Sequence, residues 1–111
     1  MDIAFATTKL QKTFNSEKEL VRSYGAEIAR TIMRRMAVLS AAANLDEVSH
    51  LPPLRRHELT GNRKGTFAVD LKHPHRLIFQ PNYDSAPAKT DGGIDLKQVT
   101  AITIISVEDY H

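Results

Sequence analysis

The sequence predicts an α+β domain, with two N-terminal helices packed on a mostly antiparallel sheet in the order β-α-α-β-β-β. Two observations predict it. Apolar residues recur at helical spacing between Leu10 and Leu39, and from Arg55 onward they switch to the short alternating runs of strands. A third observation sets the size. With 111 residues the chain makes one domain, residues 1–111, with room for one modest core. At 41% hydrophobic and 25% charged residues it has the balance of a folded protein.

Residues 2–6 (DIAFA) read as an opening strand. Thr8 and Gln11 fit a capping box with Thr8 as N-cap. Leu10, Phe14 and Val21 then share one helical face, which predicts a helix to about Arg22, broken at Tyr24-Gly25. A second helix is expected over residues 26–43. Its buried stripe is Ile28, Ile32, Met36 and Leu39, with Glu27, Arg30 and Arg34 facing away. Asn44 and Glu47 can cap one more turn before Pro52-Pro53 stops any helix.

Residues 55–59 are a short strand candidate, followed by a turn bracketed by Gly61 and Gly65. Residues 66–71 (TFAVDL) alternate, with Phe67 and Val69 on one face, and residues 76–80 (RLIFQ) form the next strand. Residues 81–97 are polar, with Pro87 and Gly92-Gly93, and predict a long loop or hairpin tip. Residues 98–107 make the closing strand.

The chain has no cysteine, so disulfides and cysteine-based zinc sites are excluded. No charged head precedes an apolar run at the N-terminus, and no stretch approaches the roughly 18 apolar residues of a membrane span. The expectation is a soluble cytoplasmic protein without a membrane partner. The net charge of +2 is unevenly spread. Residues 55–76 hold Arg55, Arg56, Arg63, Lys64, Lys72 and Arg76 against Glu58 and Asp70, whereas residues 77–111 are net acidic. A basic middle third is what a polyanion-binding face needs, and a solvated surface is the plain alternative.

Two polar clusters stand out: RRHELTGNRKGTF at 55–67, with HRLIF at 75–79, and VEDYH at 107–111. In that order, after two helices, they resemble the HigB-like killer toxins of the RelE superfamily, involved in plasmid maintenance. The family's H-x-L-x-G-x-R-x-G hairpin falls on His57, Leu59, Gly61, Arg63 and Gly65. Its strand arginine falls on Arg76, and its terminal triplet on Asp109, Tyr110 and His111. The resemblance implies a RelE-like microbial-ribonuclease-type fold and a toxin that cuts messenger RNA in the ribosomal A site, inhibiting translation. It also implies a HigA-like helix-turn-helix antitoxin, through which operator DNA is met only indirectly. Thr60 and Asn62 stand where many relatives have Lys and Asp, and Phe67 where Trp is usual.

The chemistry follows from the residue types. RNA is cut without metal when its 2′-hydroxyl attacks the adjacent phosphorus. That needs a base, an acid for the leaving 5′-oxygen, and fixed positive charge on the phosphate. Histidine, with an unperturbed pKa of about 6.5, suits both proton roles. Arginine's permanently charged fork suits the phosphate. The expected catalytic residues are His57, Asp109, Tyr110 and His111, and the expected RNA-binding residues are Arg63, Lys64, Arg76 and Arg56. Asp109 and His111 share a face of an extended tail, and Tyr110 takes the other or stacks on a base. With the α-carboxylate beside it, His111 is expected to be the more acid-like histidine and His57 the more base-like.

No metal and no cofactor are expected. His50, His73 and His75 read as structural or solvent-facing, and Arg76 has the alternative of pairing with Asp70 or Asp109. The acidic loop with Asp84, Asp91 and Asp95 is expected away from any RNA path or against a protein partner. The alternative function is a non-cleaving module of the same fold that binds an antitoxin or the ribosome. A DNA-reading regulator ranks last, because neither helix offers base-reading residues at its N-terminal end.

Overall fold

The structure, a computed structural model, describes residues 1–109. Tyr110 and His111, two of the expected catalytic residues, lie outside the described residues. The chain folds as an α+β domain. Its strands are β1 (Asp2–Phe5), β2 (His57–Glu58), β3 (Phe67–Asp70), β4 (His75–Pro81) and β5 (Ala101–Asp109), and its helices are α1 (Thr8–Phe14), α2 (Glu17–Tyr24) and α3 (Ala26–Ala41). The sheet is mixed, with spatial order β1-β5-β4-β3-β2. β1 runs parallel to β5 and every other neighbouring pair is antiparallel.

Among the described residues the five strands fall on the five segments expected to be extended, one more than the order β-α-α-β-β-β counts, and three helices stand where two were expected, for a local reason. The expected single helix to Arg22 is two helices, because Ser16 caps a new one: its Oγ accepts from the Glu19 amide at 3.2 Å. Ser16 followed three residues later by Glu19 is itself a capping-box signature. The break changes the helical phase, so Leu20 is buried and Val21 is exposed. Thr7, not Thr8, caps α1, accepting from the Leu10 amide at 3.1 Å. The α3 stripe is as expected, with Ile32 and Leu39 fully buried and Ile28 and Met36 packed beside them.

The helices cover one face of the sheet. Leu20, Ala29, Ile32 and Leu39 meet Phe67, Val69, Leu77, Phe79, Ile102 and Ile104 in the main core. Phe67 and Phe79 face each other across β3 and β4, with ring centroids 6.0 Å apart and near-parallel planes. Among the described residues the other face carries the small apolar cluster Leu59, Ala68, Ile78 and Ile105, and the helices leave it open. Arg35 ties α3 to the sheet, its Nε donating to the Asp70 carbonyl at 2.7 Å from a buried position. Burial, helped by Arg34, pulls its pKa below the ordinary arginine value. Replacing Arg35 by Met leaves that carbonyl without its donor, and is expected to destabilise by about 1–3 kcal/mol, read as a lower urea midpoint.

A bulge in β5 sets which residues reach the open face. Ile78 pairs with Ser106 and Phe79 with Ile104, so Ile105 is the extra residue. Strict alternation from Ile102 and Ile104 would aim Ser106 and Glu108 into the core. The bulge reverses the phase, so Val107 packs on the core and Glu108 stands on the open face opposite Arg76.

Candidate functional site

Three elements bring basic side chains and an imidazole to one end of the open face. β2 supplies His57, β4 supplies Arg76, and the 3-10 turn Gly61–Arg63 of the β2–β3 hairpin supplies Arg63. That turn needs its flanking glycines: Gly61 and Gly65 sit at φ 67° and 92°, backbone that residues with a Cβ rarely adopt. Two adjoining hollows mark the site. One, of about 170 Å³, is lined by Arg55, His57, Asp70, Leu71, His73, Pro74, His75 and Arg76. The second, of about 250 Å³, is lined by His57, Glu58, Leu59, Thr60, Arg63 and Arg76. His57 and Arg76 line both, so the hollows are two halves of one groove.

The backbone orients His57. Arg55 sits in the left-handed region at φ 49°, strain that costs a residue with a Cβ about 1–2 kcal/mol. Its carbonyl lies 2.8 Å from His57 Nδ1. A carbonyl can only accept, so Nδ1 carries the proton and neutral His57 keeps its lone pair on Nε2. That is the tautomer a general base needs.

The charges form an alternating row. Arg55 donates to Asp70 Oδ2 at 3.0 Å. Asp70 is the β3 partner of Arg76, and Arg76 is the β4 partner of Glu108. Glu108 accepts from both terminal nitrogens of Arg63, Nη1 at 2.8 Å and Nη2 at 2.7 Å. Ser106 Oγ donates to the same carboxylate at 2.8 Å. Read across the sheet, the row is Arg55, Asp70, Arg76, Glu108, Arg63.

Chiefly through the hydrogen bonds from Arg63, aided by Ser106 and the Arg76 charge, the Glu108 carboxyl is held down at about 2 against an ordinary 4.5. A carboxyl with a depressed folded-state pKa stabilises the fold above its unfolded value and loses that stabilisation as pH falls through the folded one. Stability carried by this pair should therefore be present at neutral pH and disappear between about 4.5 and about 2. A Glu108→Gln variant lacks it throughout, so its unfolding midpoint should start below the parent's at pH 7 and converge with it on acidification. Parallel curves would refute this.

The structure places the remaining expected residues as follows. Lys64 is exposed in the turn beside Arg63. Arg56 leaves the groove: its Nε donates to the Val48 carbonyl at 2.7 Å, and burial lowers its pKa below the ordinary arginine value. The left-handed turn at Arg55 swaps the two neighbours, so Arg55, not Arg56, lines the site. Asp109 is exposed and pairs in register with His75, on the opposite side of β5 from Glu108. Tyr110 and His111 are outside the described residues, so their convergence with His57 is not on view.

His73 and His75, read from sequence as structural or solvent-facing, line the first hollow. Glu108 and Arg55 are not among the site residues expected from the sequence. The apolar doublet Ile104-Ile105 in an otherwise alternating run was the available signal for the bulge that brings Glu108 in. The acidic loop leaves from the other end of the sheet, after Pro81 and before Ala101. From the Arg76–Glu108 row to the Pro81–Ile102 row is about 17 Å at strand rise. No described helix is long and apolar enough to cross a membrane. In comparisons with protein-family models and with curated proteins, nothing matches this chain.

Proposed function

We propose that the open face is the RNA groove of a metal-independent endoribonuclease, a HigB-like toxin of the RelE superfamily that cuts messenger RNA in the ribosomal A site. One observation carries the reading: His57 and Arg76 line both halves of a groove whose outer ends hold Arg55 and Arg63. His57 Nε2 accepts the proton of a ribose 2′-hydroxyl, and the resulting oxygen attacks the adjacent phosphorus. The Arg76 and Arg63 guanidiniums take up the negative charge that develops on the phosphate oxygens. The 5′-oxygen leaves with a proton from the C-terminal triplet, whose assigned acid is His111, with Asp109 and Tyr110 as its partners. The products are a 2′,3′-cyclic phosphate and a 5′-hydroxyl. The silencing partner in this reading is a helix-turn-helix antitoxin, and the compartment is the cytoplasm.

Induction of the chain alone in bacteria should arrest growth and leave cut transcripts ending in 2′,3′-cyclic phosphates. Intact transcripts during arrest would reject the nuclease. The second reading is a module of this fold that binds without cutting. The ion pairs that occupy Arg55 and Arg63 favour it. Arrest that survives both His57→Ala and His111→Ala would select it.

A further inference from the structure

Glu108 does to Arg63 what a phosphodiester would do. Its two oxygens meet the two terminal nitrogens of the guanidinium at 2.8 and 2.7 Å, the bidentate geometry that a phosphate's two non-bridging oxygens also adopt. The carboxylate also accepts from Ser106 Oγ at 2.8 Å, and the pair is only partly exposed, 39% for the Arg63 side chain and 32% for Glu108. Asp70 holds Arg55 at the far end of the row by a single contact, Nη1 to Oδ2 at 3.0 Å. The row therefore has three guanidiniums and two carboxylates in alternation. Its positive charge is largely cancelled before any polyanion arrives.

We propose that Glu108, with Asp70 in the lesser role, is a specificity-determining residue: a built-in phosphate mimic that keeps loose RNA off Arg63 and yields only to a phosphate presented in place. The proposal rests on the RNA-groove reading, and it names what that groove rejects. Free single-stranded RNA binds basic surfaces chiefly through charge and counterion release, so a self-neutralised face holds it weakly. A message strand already fixed at the groove competes for Arg63 at high effective concentration and displaces the carboxylate.

The test is the affinity of the isolated chain for a single-stranded RNA oligonucleotide carrying 2′-methoxy groups, which cannot be cut. Parent, Glu108→Gln and Asp84→Asn are compared across a salt series. Asp84 lies beyond the end of β4 in the acidic loop, so its replacement makes the same change in net charge away from the row. Glu108→Gln should bind about fivefold tighter than the parent, the scale of one partly exposed ion pair, with a salt dependence steeper by roughly one phosphate contact. Asp84→Asn should stay near the parent. Equal affinity of parent and Glu108→Gln (including no binding by either), weaker binding by Glu108→Gln, or an equal gain from Asp84→Asn each overturns the proposal. Should Glu108→Gln not fold, Asp70→Asn reads the same competition at Arg55. A parent that never cuts translated messages ends the nuclease reading, while this binding comparison still decides the role of Glu108.

Discussion

Replacing His57 by alanine is expected to lower the rate of transcript cutting about 10²–10⁴-fold, the range of one lost general base. In the proposed function His57 is the general base. It sits half-buried on the two-residue edge strand β2 and lines both hollows of the groove. Its Nδ1 faces the Arg55 carbonyl, which leaves Nε2 as the basic nitrogen. The variant should therefore keep its unfolding free energy within about 0.5 kcal/mol of the parent, as is usual for changes away from the core. The check is single-turnover cutting of a defined message on programmed ribosomes, with folding monitored in parallel. A variant that cuts within threefold of the parent would remove His57 from the chemistry.

The largest effect on stability is expected from Phe79→Ala. Phe79 is fully buried in β4, stacks on Phe67 and is flanked by Leu77 and Ile104 in the main core. Truncating a buried phenylalanine loses its transfer free energy and leaves a cavity, together about 3–5 kcal/mol. A domain of this size has a net stability of about 5–15 kcal/mol, so a large share of it would go. Urea unfolding should show a much lower midpoint with an unchanged slope, because the same surface is exposed on unfolding. The consequence reaches the groove, since β4 also carries Arg76. A midpoint shift worth under about 1 kcal/mol would mean that the site collapses around the void.

Much of the architecture was legible locally. The stripe Ile28, Ile32, Met36 and Leu39 declares α3 through its spacing, and Phe67 and Val69 declare the core face of β3. The apolar face continues in phase through Asn15-Ser16 in the sequence, but there a serine hydroxyl competes for backbone amides and starts a new helix. The site was legible in type more than in membership. The glycine-bracketed turn and the two arginines Arg63 and Arg76 do meet on one face with His57. Arg55 rather than Arg56 lines the groove because of the left-handed backbone at Arg55, and Glu108 rather than Asp109 faces Arg76 because neighbours in a strand point to opposite sides.

By itself, then, the chain's residue order determined which segments are helical and extended, that their apolar sides close one core, and that the basic middle third surrounds a tight turn. These properties depend on spacing over a few residues, and spacing is written in the order of side chains. Only the folded sheet decided which charged groups share a surface. A single extra residue at Ile105 reverses the phase of β5 and brings Glu108, not Asp109, opposite Arg76, and one left-handed residue at Arg55 turns Arg56 away. Both depend on what the neighbouring strand and the core beneath can accommodate, and that is known only when distant segments are paired.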